Sequence, residues 1–424
     1  MKLCLFFVAA MTAIPLLWVG RAQAQATTTV LYRFKGGSDG RNPVGPLVFD
    51  RAGNLYGAAQ YGGAGCGVIF KLSPRVQGTT WIESVLYIFG CGADGAYPSA
   101  GLIFNQAGNL YGATSGGGEC SFSCGTLFQL SPPAVGGGTW TYAVLHRFGG
   151  ADRPDGGQPN GNLILDQEGN LYGTAGLGGE FVCSIDPGPC GVVFELLRPA
   201  QTGGTWKEKV LYNFADVPDG AYPSAGVIWD SKGNLYGNTA MGGTGPCTDG
   251  EGLTIGCGTA FRLSPTAAGS WSETVLYNFG PSEDGPGSPF IFGKEGALYG
   301  TAAYDVFRLM PPAATGRAWR HKLLHTFTEG ISGTIPSSGV IMDEDRNLYG
   351  TSASSGLFGF STAFELSPPP ETGGEWMLTT LHTFGTGLDS NQPRGGLVHG
   401  KDGAFYGATS ANAGGNGFVF KIVP

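Results

Sequence analysis

The chain has 424 residues, 42% of them apolar, and a formal charge of −8. Only 13% are charged, against about 25% in an average globular protein, so the chain lacks the clustered Lys and Arg that nucleic acid rewards and that class of partner is excluded. The 76 glycines far exceed a usual share of about 7%, but apolar residues placed at regular intervals between them argue for a packed core rather than disorder.

Residues 1–26 read as an export signal. Lys2 supplies the basic start, Leu3 to Val19 is almost unbroken apolar, and Ala22-Gln23-Ala24 and Ala24-Gln25-Ala26 both fit small-x-small cleavage. The apolar run is short for a spanning helix of about 20 residues. No later stretch is long and apolar enough to span a bilayer, and no C-terminal anchor is visible. The mature product, with 22 basic and 32 acidic residues left, is expected to be exported, periplasmic or extracellular, without a membrane span, and monomeric.

The first element after the signal is an isolated strand, Val30 to Phe34 (VLYRF). A four-strand unit follows. Strand a is Pro46 to Asp50, strand b Asn54 to Ala59, strand c Gly67 to Leu72 and strand d Val85 to Phe89. These runs are short, rich in Val, Ile, Leu, Tyr and Phe, and bounded by Gly, Pro, Asn and Asp, as strands are. The unit then repeats. Its marker, N-L-Y-G or a relaxed copy, places tyrosines at Tyr56, Tyr111, Tyr172, Tyr236, Tyr299, Tyr349 and Tyr406, and strand c carries Phe70, Phe128, Phe194, Phe261, Phe307, Phe364 and Phe420. The last unit lacks strand d and the N-terminus has a spare one. Residues 27–424 are therefore expected to form one all-β domain. It would be a seven-bladed β-propeller with four antiparallel strands per blade, whose N-terminal strand closes the last blade. A linear β-solenoid is the alternative, but it has no use for a missing strand at one end and a spare at the other.

The set VLYxF, DGxxP, D-x-x-G-N-L-Y-G and G-x-x-F-x-L-S-P resembles the GloVer tandem repeat over essentially the whole mature chain. The resemblance implies an exported bacterial β-propeller-like protein. It brings no established activity with it.

Eight cysteines remain after the signal, an even number that suggests disulfides in an exported protein. Cys66, Cys124, Cys190 and Cys257 each precede a strand c. Cys120, Cys183 and Cys247 lie earlier in the same b–c loops, and Cys91 follows strand d of the first unit. The expected bridges are Cys66–Cys91, Cys120–Cys124, Cys183–Cys190 and Cys247–Cys257. Zinc is the competing reading, but the spacings fit no zinc motif.

The b–c loops and the d-to-a connections should share one face around the central channel. A residue present in every blade is expected to be scaffold, and one that breaks the repeat is the better functional candidate. Asp39, Asp94, Asp155, Asp219, Asp284 and Asp389 each open a d-to-a turn. They also allow an acidic ring for Ca2+, although no cofactor is required. The string DGAYPSAG, at Asp94–Gly101 and again at Asp219–Gly226, reads as a joint between blades. Tyr97 and Tyr222 exceed what a joint needs, and Trp229 reads as a non-repeated aromatic. With Asp94 and Asp219 these form the candidate binding set.

His146, His325 and His382 stand in for the Tyr of VLYxF. His399 reads as the replacement of the Asp ending strand a. No histidine lies in a channel-face loop, so a Ser-His-Asp site is unsupported. Acids on that face (Glu119, Asp152, Glu180, Asp186, Asp249, Glu251, Glu283) give no outstanding pair for glycoside hydrolysis. The long loops Gly178–Cys190 and Gly242–Cys257 make one side of the face a raised rim. Three functions follow: a non-catalytic binder of extracellular glycan or protein, a carbohydrate-active hydrolase or lyase using loop carboxylates, and a purely structural envelope protein. The first is preferred, with no catalytic residue assigned.

Overall fold

The computed structural model describes residues 26–75, 78–120, 123–135, 137–151, 153–183, 188–201, 203–248, 252–281, 283, 285–314, 317–328, 335–336, 338–353, 361–371, 373–385, 391–411 and 415–424. The signal segment lies outside them except for Ala26. Asp152, Asp186, Asp249, Glu251, Asp284 and Asp389 also lie outside. The fold is a seven-bladed β-propeller of small antiparallel sheets, with one 3₁₀ turn, Lys294–Gly296, among the described residues.

The first blade shows the plan. Arg41–Phe49, Leu55–Tyr61, Val68–Ser73 and Ile82–Ile88 pair in that order. The inner strand is longer than the sequence suggests, because its pairing is interrupted between Val44 and Val48 and resumes toward Tyr61. In the second blade the same interruption splits strand a into Ala96–Pro98 and Ile103–Phe104. The intervening Ser-Ala-Gly lies at the inner edge. There the amide of Gly101 donates to Asn162 Oδ1 at 2.9 Å and Ser99 Oγ donates to the Pro159 carbonyl at 2.7 Å.

Ring closure uses the spare strand. Thr27–Arg33 pairs antiparallel with Phe418–Val423, Thr27 opposite Val423 and Val30 opposite Phe420. No sheet edge is left open at the join.

Blades are held together by phenylalanines. The Phe ending each strand d packs against the strand-c Phe of the next blade: Phe34 on Phe70, Phe89 on Phe128, Phe148 on Phe194, Phe214 on Phe261, Phe279 on Phe307, Phe327 on Phe364 and Phe384 on Phe420. Their ring centroids lie 5.0–5.5 Å apart. Both members of these pairs are buried. The glycine of N-L-Y-G follows from this packing. A Cβ at Gly57 would lie 2.5 Å from Phe70 Cζ, and one at Gly112 would lie 2.5 Å from Phe128 Cζ.

Candidate functional site

On the disulfide face, the described acids Asp39, Asp94, Asp155, Asp219 and Glu283 of the d-to-a connections are used by their own turns. Asp39 accepts from Tyr32 Oη and from the Lys35 amide, both at 2.8 Å. Asp94 accepts from Tyr87 Oη at 2.9 Å and the Gly90 amide at 2.7 Å. Asp219 takes Tyr212 Oη and the Ala215 amide at 3.0 Å and the Gly220 amide at 2.7 Å. Where histidine replaces the tyrosine, His146 Nε2 lies 3.3 Å from Asp155. In the connection after the fourth blade the role falls to Glu283, bonded to Tyr277 Oη at 2.9 Å and the Gly280 amide at 2.8 Å, with His321 Nδ1 at 3.1 Å. Burial and the acceptor carboxylate push Tyr87 and Tyr277 up to about 12. Burial raises Asp219 above the ordinary carboxylate value despite its three donors. Asp94 and Asp219 are thus turn acceptors. Among the described residues no three His, Cys, Asp or Glu side chains gather as a metal site.

Three residues after the turn acid, the connection reaches the preceding blade. The amides of Asn42, Tyr97, Gln158 and Tyr222 donate to the carbonyls of Asn416, Cys66, Cys124 and Cys190 at 2.8–3.0 Å. All four residues have positive φ, 54°, 58°, 51° and 57°. Asparagine tolerates this region, whereas a bulky side chain does so at a cost. Tyr97 and Tyr222 therefore sit at the joint, as the duplicated octapeptide implies. The ring of Tyr97 lies 5.6 Å from that of Tyr61, and the Arg41 guanidinium lies over Tyr61 at 5.3 Å. Tyr222 packs with Cys183, Cys190 and Met241.

The four disulfides are Cys66–Cys91, Cys120–Cys124, Cys183–Cys190 and Cys247–Cys257, with Cα separations of 5.1–5.7 Å. They suit an oxidising compartment. The third and fourth brace the long loops, which also hold the bridges Val182–Pro189 and Thr248–Thr254. These braced loops present apolar side chains outward. Phe181 is 47% exposed, Val182 68% and Leu253 47%, and Val217 on the connection between the two blades is 45% exposed. The sequence marked the loops by their length and cysteines. It did not mark these side chains, whose signal is an apolar residue inside a Gly-rich polar loop.

Trp229 lies elsewhere. It pairs with Leu235 as Phe49 pairs with Leu55 and Phe104 with Leu110. It is therefore a member of a repeated column, placed toward the a–b turns and away from the disulfides. Its ring meets Tyr172 edge-on at 4.8 Å, as Phe104 meets Tyr56. His399 occupies the same column, opposite Phe405, so the residue replacing the Asp at the end of strand a is Gly400. The histidines lie on strands, as expected. His146 and His321 reach acids of the d-to-a connections from strand d, although neither lies in a loop.

Besides Asp219 and Asp305, three glutamates have raised pKa values. Burial, with the nearby charges of Asp39, Asp155 and Asp219, brings Glu83, Glu208 and Glu273 up to about 7. An acid beside a carboxylate is the pairing glycosidases use. Here the pairs are distributed over three separate blade seams, and each Glu holds the same position in its strand d. A feature copied from seam to seam is scaffold rather than one converging site.

No helix among the described residues is long and apolar enough to cross a membrane. A family model for the Gloeobacter/Verrucomicrobia repeat matches residues 19–138, 84–307 and 247–424. No curated protein matches the sequence. Among solved structures, a Thermus thermophilus protein described as an oxidoreductase (glucose dehydrogenase) is 16% identical over 94% of this chain and all of its own, with a TM-score of 0.45. The extracellular domain of a one-component system from B. thetaiotaomicron is 10% identical over 90% of this chain and 39% of its own, with a TM-score of 0.49. A gluconolactonase from Xanthomonas campestris is 14% identical over 76% of this chain and 85% of its own, with a TM-score of 0.41. At these values nothing about activity carries over.

Proposed function

Since the chain belongs to the Gloeobacter/Verrucomicrobia repeat family, we propose that it is an exported, non-catalytic propeller that binds a protein partner on its disulfide face. The observation that carries this reading is the braced rim of the third and fourth blades, where Phe181, Val182, Leu253 and Val217 are held outward. Exposed apolar side chains on rigid, polar-rimmed loops mark interaction surfaces. Bracing before binding removes ordering cost. The same face offers little to catalysis, because its described turn acids are engaged by backbone amides and tyrosines. Tyr222, an aromatic held at a strained joint, adds to this rim beside Cys190, and Tyr97 holds the equivalent joint between the first and second blades. Such strain at a bulky residue is a pointer to function.

A photo-reactive residue at position 181, introduced into the protein in its native host, tests the proposal. One discrete protein adduct is expected from position 181, and none from a control at Ile82 on the outer strand. Adducts shared by both positions, or a glycan adduct alone, would count against it.

A further inference from the structure

The face opposite the disulfides holds a cleft of about 810 Å³ between the second and third blades. It is built by four departures from the repeat, all at one seam. The residue opposite the N-L-Y-G tyrosine on strand c is charged in the other blades: Lys71, Glu195, Arg262, Arg308, Glu365 and Lys421. Lys71, Arg308 and Lys421 lie over their tyrosine rings at 5.5–5.7 Å. In the second blade the residue is the uncharged Gln129, and the cation beside Tyr111 is Arg198, from the neighbouring blade. The acid that ends strand a in the first and third blades, Asp50 and Asp166, is Asn105 here. Its Nδ2 donates to Tyr111 Oη at 3.1 Å. The residue that packs across the seam is an aromatic ring at Phe49, Phe104, Trp229, Phe292 and His399, and an aliphatic chain at Leu165 here and at Met342. The proline of L-S-P, present as Pro132 and Pro265, is replaced by Arg198, whose amide donates to Asn170 Oδ1 at 2.9 Å.

The four changes leave a cleft floored by Tyr111 and walled by Trp206, whose ring lies 6.2 Å from Tyr111 at 66°. Its polar groups are mainly side-chain amides. Charged groups line it as well: Arg198, Glu168 and Asp166, whose carboxylate accepts from Asn170 Nδ2 at 2.8 Å and Tyr172 Oη at 3.1 Å. Amides donate and accept at once, which matches neighbouring hydroxyl groups. An aromatic wall matches the C–H face of a sugar ring. A cleft of this size is within the range of ligand sites, about 300–1,000 Å³.

From this we infer that the seam between the second and third blades is a binding site for a neutral oligosaccharide. It is independent of the protein-binding rim and on the other face. Placed together, the two sites would let the propeller bridge a protein and a glycan.

The test is calorimetric titration of the mature protein with neutral hexasaccharides of glucose, mannose and xylose. Saturable binding of at least one is expected. Gln129→Lys, which installs the residue used to cover the tyrosine in other blades, and Leu165→Phe, which installs the seam aromatic, should each weaken it at least tenfold with an unchanged melting temperature. Phe181→Asp should leave it intact, which separates this site from the rim. Absence of binding by all three sugars overturns the inference. So does equal binding by both cleft variants, or tighter binding of a galacturonate hexasaccharide than of any neutral one.

Discussion

The amide of Tyr97 donates a 2.8 Å hydrogen bond to the carbonyl of Cys66, in the blade before its own. Tyr222 and Cys190 repeat the relationship two blades on. The bond needs the left-handed backbone and takes no part of the tyrosine ring. Tyr97→Asn and Tyr222→Asn should therefore keep the joint. Relief of roughly 1–2 kcal/mol of left-handed strain offsets lost packing of the half-buried ring, worth roughly 1.5–3 kcal/mol for a large apolar side chain on full burial. Thermal melts within a few degrees of the parent are expected. A collapse of the fold would show that the rings belong to the core.

The interblade phenylalanines give the opposite expectation. Phe128→Ala removes a fully buried ring and its contact with Phe89, a change that costs about 3–5 kcal/mol. Gly112→Ala drives a Cβ against the same ring and should cost about 1–3 kcal/mol by overpacking. Denaturant midpoints measure both. A neutral Phe128→Ala would contradict the packing described here.

The disulfides should act locally. Cys183 and Cys190 are 7 apart in sequence and Cys66 and Cys91 are 25 apart. A bridge closing about 15 residues is worth about 3 kcal/mol in the loop-entropy account, and less for shorter loops. Replacing Cys183 and Cys190 by Ser should lower the melt less than replacing Cys66 and Cys91, yet should open the 178–190 loop to protease. Equal protease resistance in the parent and the Cys183/Cys190 variant would show that the bridge does not brace the rim.

Glu83, Glu208 and Glu273, held up near 7 by burial and then by the neighbouring aspartate charge, link stability to pH. Free glutamate titrates at 4.5. Between about 4.5 and 7 the folded state holds more protons than the unfolded one. The stability these groups confer is complete below 4.5 and is lost as pH rises through 7. His321 and His325, lowered from 6.5 by burial, work the other way. Their share is present above 6.5 and lost as pH falls. The comparison that isolates the acids is therefore between the parent and the triple variant Glu83→Gln, Glu208→Gln, Glu273→Gln. The parent should lose more melting temperature from pH 5.5 to pH 8. Parallel curves would mean that the three carboxyls are not linked to folding.

The ring was legible in the chain because its evidence is a count. Seven Tyr markers, seven strand-c phenylalanines and one misplaced VLYRF strand leave little freedom once sheet edges must be closed. What lies between blades was less legible. The offset of one residue that separates His399 from Gly400 cannot be read without the pairing of His399 with Phe405. Trp229 looked singular because no other member of its column is tryptophan: the mates are Phe49, Phe104, Leu165, Phe292, Met342 and His399. The recurring E-x-V-L-Y at Glu83, Glu208 and Glu273 was visible in the sequence. Its burial against Asp39, Asp155 and Asp219 depends on the angle between neighbouring blades. The cleft over Tyr111 required comparing four columns at one seam, which becomes natural only when the register of every blade is known.

The central claim is that the braced rim binds a protein. It is tested most directly by measuring the affinity of the partner cross-linked at position 181 for the parent and for a variant carrying Phe181→Asp, Val182→Asp and Leu253→Asp. These side chains are exposed, so the melting temperature should not change. The account predicts at least a hundredfold loss of affinity, since buried charge at an interface core is heavily penalised. Equal affinity in the two proteins would contradict it.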